Sequence, residues 1–266
     1  MQTSIGIRAS ARELLQATDL LWAWTARIIR ARYQQSTMGW LWAVVQPAAS
    51  VAILTLVFSL FVRVDTGGTP YVLFSYLAVV PWTFFASAVP DMADSLVQNM
   101  TLVGKIYFPR EILPISAMLA RLLDLGIASG LLVVMIIYFG VPSSPILWLY
   151  VPLILAIETA FVLGLGLMAA ALNVFNRDVQ PLLRLALQVW FYASPIIYPV
   201  SMVPAQFQPV YYLNPMAAII EAYRAVLLYG TPPDAYLALS AVVSVVVLVI
   251  GYWLFRRLQF QFADII

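Results

Sequence analysis

The chain has 266 residues, of which 63% are hydrophobic and only 10% charged, with a formal net charge of +2. A soluble domain is roughly half apolar and a quarter charged. The composition therefore excludes a soluble enzyme, and the length holds about six spans of roughly 20 residues without room for a separate catalytic domain. Histidine and cysteine are both absent, which removes the commonest metal ligand and proton shuttle, any disulfide frame and all thiol chemistry.

The first residues, MQTSIGIRASARELL, lack a basic region followed by an apolar run and a small-residue cleavage site, so no cleaved signal peptide is expected there. Residues 10–35 read as an amphipathic helix lying in the membrane interface. Ser10 and Glu13 form a capping box at its start. Arg12, Gln16, Asp19, Arg27, Arg30 and Gln34 make one polar stripe, opposite Leu14, Leu21 and Ile28 with Leu20, Trp22 and Trp24 beside them. Basic residues on one face and Trp and Leu on the other suit the headgroup region.

Six spans are expected, at residues 39–62, 71–98, 115–141, 147–173, 185–200 and 235–255. The second, at 1.5 Å per residue, is roughly 40 Å long and outruns a 30 Å hydrocarbon core, which puts Asp91 and Asp94 near its far interface. Residues 99–114 and the stretch around Phe175 to Arg184 are polar loops. Residues 201–234 are too apolar for an exposed loop. Asn214-Pro215 is a helix start and Gly230 followed by Pro232 a stop, so a re-entrant helical hairpin is expected there, shielded by protein or a cavity. The expected fold class is thus all-α integral membrane, with an interfacial helix, six spans and an extracytoplasmic hairpin between the fifth and sixth.

Arg8, Arg12, Arg27, Arg30, Arg32, Lys105, Arg110, Arg177, Arg184, Arg256 and Arg257 collect on one side of these spans, and only Arg63 and Arg224 on the other. The positive-inside rule then puts both termini, the 99–114 loop and the Phe175–Arg184 loop in the cytosol.

No catalytic constellation stands out. Gly104-Lys105 continues with Ile106, and Asn99 stands where a phosphate-binding loop needs its first glycine. Hydrolysis of ATP by this chain alone is not expected, and neither a metal site nor a Ser/His/Asp set is available. Arg121, Asp124 and Glu158 are the ionisable residues inside spans, and such charges are costly. Arg121 and Asp124 share a helix face and can pair; an ion pair fixing helix register and a proton relay through Asp124 and Glu158 both remain open. Aromatic residues crowd the outer halves of the second and fifth spans. Trp82, Phe84, Phe85, Trp190 and Tyr192 lie deeper than a headgroup belt, with Tyr198 nearby. Their faces suit the C–H faces of sugar rings, so pore lining competes with packing and lipid contact. Pro81, Pro90 and Ser194-Pro195 are expected to kink these helices.

Seven segments in order carry a resemblance. They are RYQQSTMGWLW…QP (32–47), PWTFF (81–85), N…L…KIYFPREILP (99–114), LNVFNRDV (172–179), SPIIYP (194–199), LNPM…I…YR (213–224) and F…FAD.I (255–266). The chain resembles the membrane subunit of ABC-2-type polysaccharide exporters almost end to end; Ser36, where that family more often has Thr, keeps the hydroxyl. The resemblance implies a homodimer in a bacterial or archaeal plasma (inner) membrane, bound to two copies of a separate ATPase that holds ATP and Mg. It implies export of a lipid-linked polysaccharide of O-antigen, capsular or teichoic-acid type, with membrane lipid but no nucleic acid as a further partner. The 99–111 loop would dock on the ATPase, with Asn99 at its start, Tyr107, Phe108 and Pro109 as an apolar plug and Lys105, Arg110 and Glu111 as a polar rim. Trp40, Trp42, Trp82, Phe84, Phe85, Trp190, Tyr192 and Tyr198 would line the glycan path. Export of a small lipid or drug by the same architecture is the nearest alternative. An ion-coupled carrier is a further one, and a multi-span glycosyltransferase is disfavoured because no loop carries an acidic metal motif.

Overall fold

A computed structural model describes residues 17–34, 36–62, 64–103, 108–141 and 144–264. Ser10, Glu13, Arg8, Arg12, Arg63, Lys105 and Tyr107 lie outside the described residues. Helices of ten or more residues are α1 (Thr18–Tyr33), α2 (Trp42–Thr55), α3 (Tyr71–Val97), α4 (Ile112–Tyr138), α5 (Tyr150–Phe175), α6 (Val179–Tyr192), α7 (Pro215–Arg224) and α8 (Tyr236–Leu258). Short helical turns extend α2 at both ends, precede α5 and follow α7 and α8. No strand occurs among the described residues. With almost no polar side chains available, only helices can satisfy every backbone N–H and C=O of such apolar segments locally.

Among the described residues, five helical stretches are long and apolar enough to cross a membrane: Gly39–Ser59, Tyr71–Val97, Ile112–Tyr138, Leu147–Phe175 and Tyr236–Phe262. At the expected fifth span, residues 185–200, the helix has other bounds. The helix there, α6, starts at Val179 and stops at Tyr192; its 14 residues reach about 21 Å. Arg184, expected in the preceding loop, sits on an exposed face of α6. A helix with one polar face tolerates it there. Past Tyr192 the chain turns through Ser194–Ile197, where Pro195 offers no N–H.

α3 is the central column, with 78% of its most apolar window buried against only 11% for the α2 stretch. It stays helical through Pro81 and Pro90, so neither breaks it. Side-chain contacts give the helix directions. Tyr76 Oη donates to the Ala128 carbonyl at 3.1 Å and Asp91 meets Arg121, so α3 and α4 are antiparallel. Phe85 stacks on Phe161, and Asn173 Nδ2 donates to the Ala93 carbonyl at 3.0 Å, so α3 and α5 run the same way. α5 and α8 also run the same way, through Gly164 against Gly251 and Phe175 against Phe262.

α7 is buried on most of its surface, from Pro215 to Ile220 and again from Ala222 to Arg224, and packs on α8, α3 and α5. The Asn214–Pro215 start is present: Asn214 Oδ1 accepts the Met216 N–H at 3.1 Å. The same side chain joins α7 to the end of α6, accepting from Trp190 Nε1 at 2.8 Å and donating to Ser194 Oγ at 2.9 Å. Gly230 takes the left-handed conformation, φ +61°, which a glycine adopts without a Cβ penalty.

The α5–α8 contact has no slack. A Cβ on Gly164 would lie 2.6 Å from the Leu248 amide nitrogen, and one on Gly251 would collide with the Gly164 carbonyl oxygen. Gly251→Ala is therefore expected to cost about 1–3 kcal/mol through overpacking. Gly126→Ala, which meets nothing within 4 Å, should leave stability unchanged or slightly higher; thermal unfolding of both variants in detergent checks the contrast.

Candidate functional site

The last turn of α1 brings Arg32 and Tyr33 against the Asp91 end of α3 and the first half of α4. Ser116 Oγ supports the docking with a contact to the Leu21 carbonyl at 3.4 Å. Four charged side chains close into a ring there. Arg32 Nη1 lies 2.6 Å from Asp124 Oδ2 and Arg32 Nη2 3.0 Å from Asp91 Oδ2. Arg121 Nε lies 2.7 Å from the same Asp91 oxygen, and Arg121 Nη1 3.3 Å from the same Asp124 oxygen. Tyr33 Oη donates to the other Asp124 oxygen. Burial, and then the carboxylate beside it, push the Tyr33 hydroxyl up to about 12, so it remains a donor across the physiological range. Two cations and two anions cancel, and the pairs are only partly solvated, where charge-assisted hydrogen bonds are stronger than on an open surface.

The ring separates two clefts. One, of about 340 Å³, is lined by Trp42, Gln46, Pro47, Val80, Thr83, Phe84, Ser87 and Leu125 together with Arg32, Arg121 and Asp124. The other, of about 390 Å³, lies among Trp24, Arg27, Ser95, Gln98 and Asn99 together with Arg32, Arg121 and Asp91. A third, almost wholly apolar groove of about 290 Å³ lies between α4 and α5, with Tyr223 on its wall.

The local Arg121–Asp124 pair is present, joined by two residues that sequence reasoning did not connect to it, Arg32 and Asp91. Depth was the available signal. Asp91 at the end of one long helix and Arg121 near the start of the next fall at one level when the two helices are antiparallel. Glu158 stands apart, fully buried, with Tyr223 Oη donating to Oε2 at 3.0 Å and Oε1 without a partner. No contact joins it to Asp124.

Arg224, counted on the far side of the spans within the expected hairpin, is fully buried. Its Nη1 meets Glu221 Oε1 at 2.7 Å, its Nη2 reaches the Phe74 and Ile196 carbonyls at 3.4 and 3.3 Å, and its guanidinium lies 3.5 Å from the Phe74 ring centroid.

The expected path-lining aromatics divide. Trp40, Trp42 and Tyr192 are exposed, and Phe84 is a buried ring on the wall of the first cleft. Phe85 is fully buried between Phe161 and Trp190, and Trp82 packs edge-on to Phe85 and Phe191. Trp82 and Phe85 are thus core residues of the protomer, buried among neighbouring rings. Trp190 is tied to Asn214. Tyr198 Oη donates to the Tyr192 carbonyl at 3.1 Å and lies 3.2 Å from Tyr211 Oη.

A family model described as ABC-2 type transporter matches residues 19–228. The chain belongs to the ABC-2 type transporter family. Among its relatives is an O-antigen export system permease protein of Klebsiella pneumoniae, 29% identical over 249 residues, covering 93% of this chain and 95% of the relative. A second O-antigen export system permease protein, from Myxococcus xanthus, is 30% identical over 257 residues and covers 95% of this chain and 97% of its own. A polysialic acid transport protein of Escherichia coli is 24% identical over 241 residues, covering 86% and 90%.

As an ABC-2 chain this is a multi-pass membrane protein, and the residues expected to dock a partner lie about the loop between α3 and α4. Asn99 Nδ2 donates to the Ser95 carbonyl at 2.8 Å, capping the end of α3. Phe108 is half-buried against the chain's own core, which leaves only part of its ring to face a partner. Pro109 is half-buried as well. Arg110 donates to the Gln259 carbonyl and lies 5.9 Å from the Phe262 ring centroid. Glu111, expected on a polar rim, is fully buried and paired with Arg256 at 3.0 Å. That expectation is corrected: a carboxylate beside the end of α8 is neutralised within the permease.

Asp124→Asn removes the negative charge that Arg32, Arg121 and Tyr33 share and replaces one of its two acceptor oxygens by a donor. It should lower the unfolding midpoint in detergent and speed tryptic cleavage after Arg27 and Arg30 as α1 loosens. The Arg32→Gln, Asp124→Asn double variant should lose less than the sum of the two single losses, by about 1–2 kcal/mol.

Proposed function

We propose that this chain is the membrane-spanning subunit of an ATP-driven exporter that carries lipid-linked polysaccharide from the cytosol to the outer face of the plasma membrane. The observation that carries the reading is the match along nearly the whole chain to relatives named for O-antigen export and polysialic acid transport. In this reading the chain has no ATPase site of its own. It works as a homodimer with two copies of a separate ATPase, which binds ATP and Mg.

The crossing count is part of the proposal. α5 and α8 run the same way, so the chain between Asn176 and Ala235 returns to the side from which α8 starts. α6, at about 21 Å, makes most of that crossing, the fifth of six, and the stretch containing α7 is a re-entrant hairpin on the outer side. Both termini are then cytosolic, in agreement with the arginines at the α1 end. The Gly39–Ser59 stretch, the least buried of the five apolar ones, carries Trp40, Trp42 and Gln46 on exposed positions and with Tyr192 of α6 offers a face for the glycan path. The α3–α4 loop is the point of ATPase docking. Arg110 and Glu111 link it to Gln259 and Arg256 of α8, so a push on the loop displaces α4 and α8 together.

A proton relay would need Asp124 and Glu158 to exchange protons, whereas Asp124 is held in the ion ring and Glu158 is sealed against Tyr223. Glu158→Gln keeps an acceptor for the tyrosine and is expected to leave transport intact; a relay would lose it. The central test deletes the chromosomal copy in its host, restores the chain together with its ATPase, and measures polysaccharide at the cell surface. Surface polymer should vanish on deletion and return only with an ATPase competent in hydrolysis. A Tyr107→Ala, Phe108→Ala pair should reduce ATPase co-purification severalfold. Normal surface polymer in the deletion strain, or transport that persists without ATP and collapses with an uncoupler, would overturn the reading.

A further inference from the structure

The ion ring holds more hydrogen-bonding capacity than it uses. Each guanidinium carries five N–H donors, and the ring engages two on Arg32 and two on Arg121. Both carboxylates share a single oxygen between the two arginines. Arg32 and Arg121 each line both clefts, while Asp124 faces only the inner one and Asp91 only the outer one. The arginine pair is therefore presented on both sides of a thin polar wall, with donors to spare and one counter-charge on each side.

The surroundings differ on the two sides. The inner cleft is walled by Trp42, Pro47, Val80, Phe84, Leu125 and Ala128, with Gln46, Thr83 and Ser87 as its neutral polar groups. The outer one adds a further cation, Arg27, stacked 4.5 Å from the Trp24 ring centroid, beside the amides of Gln98 and Asn99. An apolar trough ending at two guanidiniums, with a cationic, amide-rich groove beyond them, fits a molecule with a hydrocarbon chain, a compact anion and a polar extension.

We propose that Arg32 and Arg121 bind the phosphoester headgroup of a lipid, its hydrocarbon chain lying in the Trp42–Phe84 cleft and its polar substituent in the Arg27–Asn99 groove. Guanidinium forks match phosphate oxygens in bidentate fashion. Partial exclusion of water strengthens the pairing, and the existing carboxylates keep the site neutral until the anion arrives. The proposal rests on the export reading only for the source of the lipid, which is either the carrier of the exported glycan or a phospholipid of the surrounding bilayer.

The test uses the full chain in phosphatidylcholine nanodiscs, titrated with farnesyl phosphate and, separately, with farnesol, following the fluorescence of the tryptophans beside the clefts. Farnesyl phosphate is expected to bind saturably and at least about tenfold more tightly than farnesol, with Arg32→Gln and Arg121→Gln each weakening it about tenfold, the loss of one or two charge-assisted hydrogen bonds. Asp91→Asn separates a binding role from a scaffolding one. It removes one of the two charges that compete for the guanidiniums while keeping an amide oxygen to hold them, and should weaken binding less than either arginine variant. Equal binding of phosphate and alcohol would overturn the proposal, as would a loss in Asp91→Asn as large as in the arginine variants. Repeating the titration in phosphatidylglycerol nanodiscs assigns the source. Competition marks a site open to bilayer phospholipid, and unchanged affinity marks one selective for an isoprenoid phosphate. Neither result depends on polymer transport, so a failed headgroup site leaves the export reading standing, and failed export leaves the binding result intact.

Discussion

A charge placed away from bulk water must be neutralised where it sits, and that requirement organises this protein at several levels. Desolvation of an isolated ion costs several kcal/mol, so a half-buried or buried arginine persists only beside a counter-charge. Each of the three principal pairings joins segments far apart in sequence. The ring of Arg32, Asp91, Arg121 and Asp124 fastens α1 to α3 and α4. Glu111 with Arg256 fastens the start of α4 to the end of α8. Arg224, with Glu221 and the carbonyls of Phe74 and Ile196, seats α7 against α3. Between these levels the bundle is held by dispersion and close packing, which specify distance well but identity poorly. The ionic contacts supply the register that apolar surfaces cannot.

The same requirement explains how the ring can belong both to the architecture and to a binding site. A lone arginine facing a membrane cleft would be too costly to keep exposed and empty. Two arginines sharing two carboxylates are neutral at rest, stay positioned, and retain donors. α1 thereby contributes directly to the site, and the α3–α4 hairpin that carries Asp91 and Arg121 also carries the loop through which a partner would act. Movement of that hairpin alters the spacing of the ring members without any change in their chemistry.

Hydropathy made most of the fold legible. The ends of α3 were placed within a residue, those of α4, α5 and α8 within a few, because long uncharged runs admit few boundaries. Asn214 and Gly230 were readable because a side-chain cap and a left-handed residue are local requirements. α6 was misjudged because Arg184 looked like a loop residue, whereas a helix with one polar face accommodates it. Burial of the aromatics was beyond the sequence for a different reason. A phenyl ring inside a span has the same composition signal whether it faces a path, lipid or another ring, and only the packing of Phe85 between Phe161 and Trp190 decides. Glu111 was misjudged for a related cause, since its neutralising partner, Arg256, lies on an element whose position depends on the tertiary fold. The ring itself was half readable: Arg121 and Asp124 are neighbours on one helix, but Arg32 joins them only when α1 docks.

The glycine contact between α5 and α8 has a mechanical consequence. Two helices whose backbones touch at Gly164 and Gly251 can neither slide past each other by a residue nor rotate without collision, so they form a stiff spine with α3 packed on it. α2 sits at the opposite extreme, with few of its side chains enclosed. Elastic compliance is therefore distributed unevenly across the protomer, and a deformation applied at the α3–α4 loop is absorbed where resistance is least. The wall containing α2 yields first, while the spine keeps its shape and carries the load.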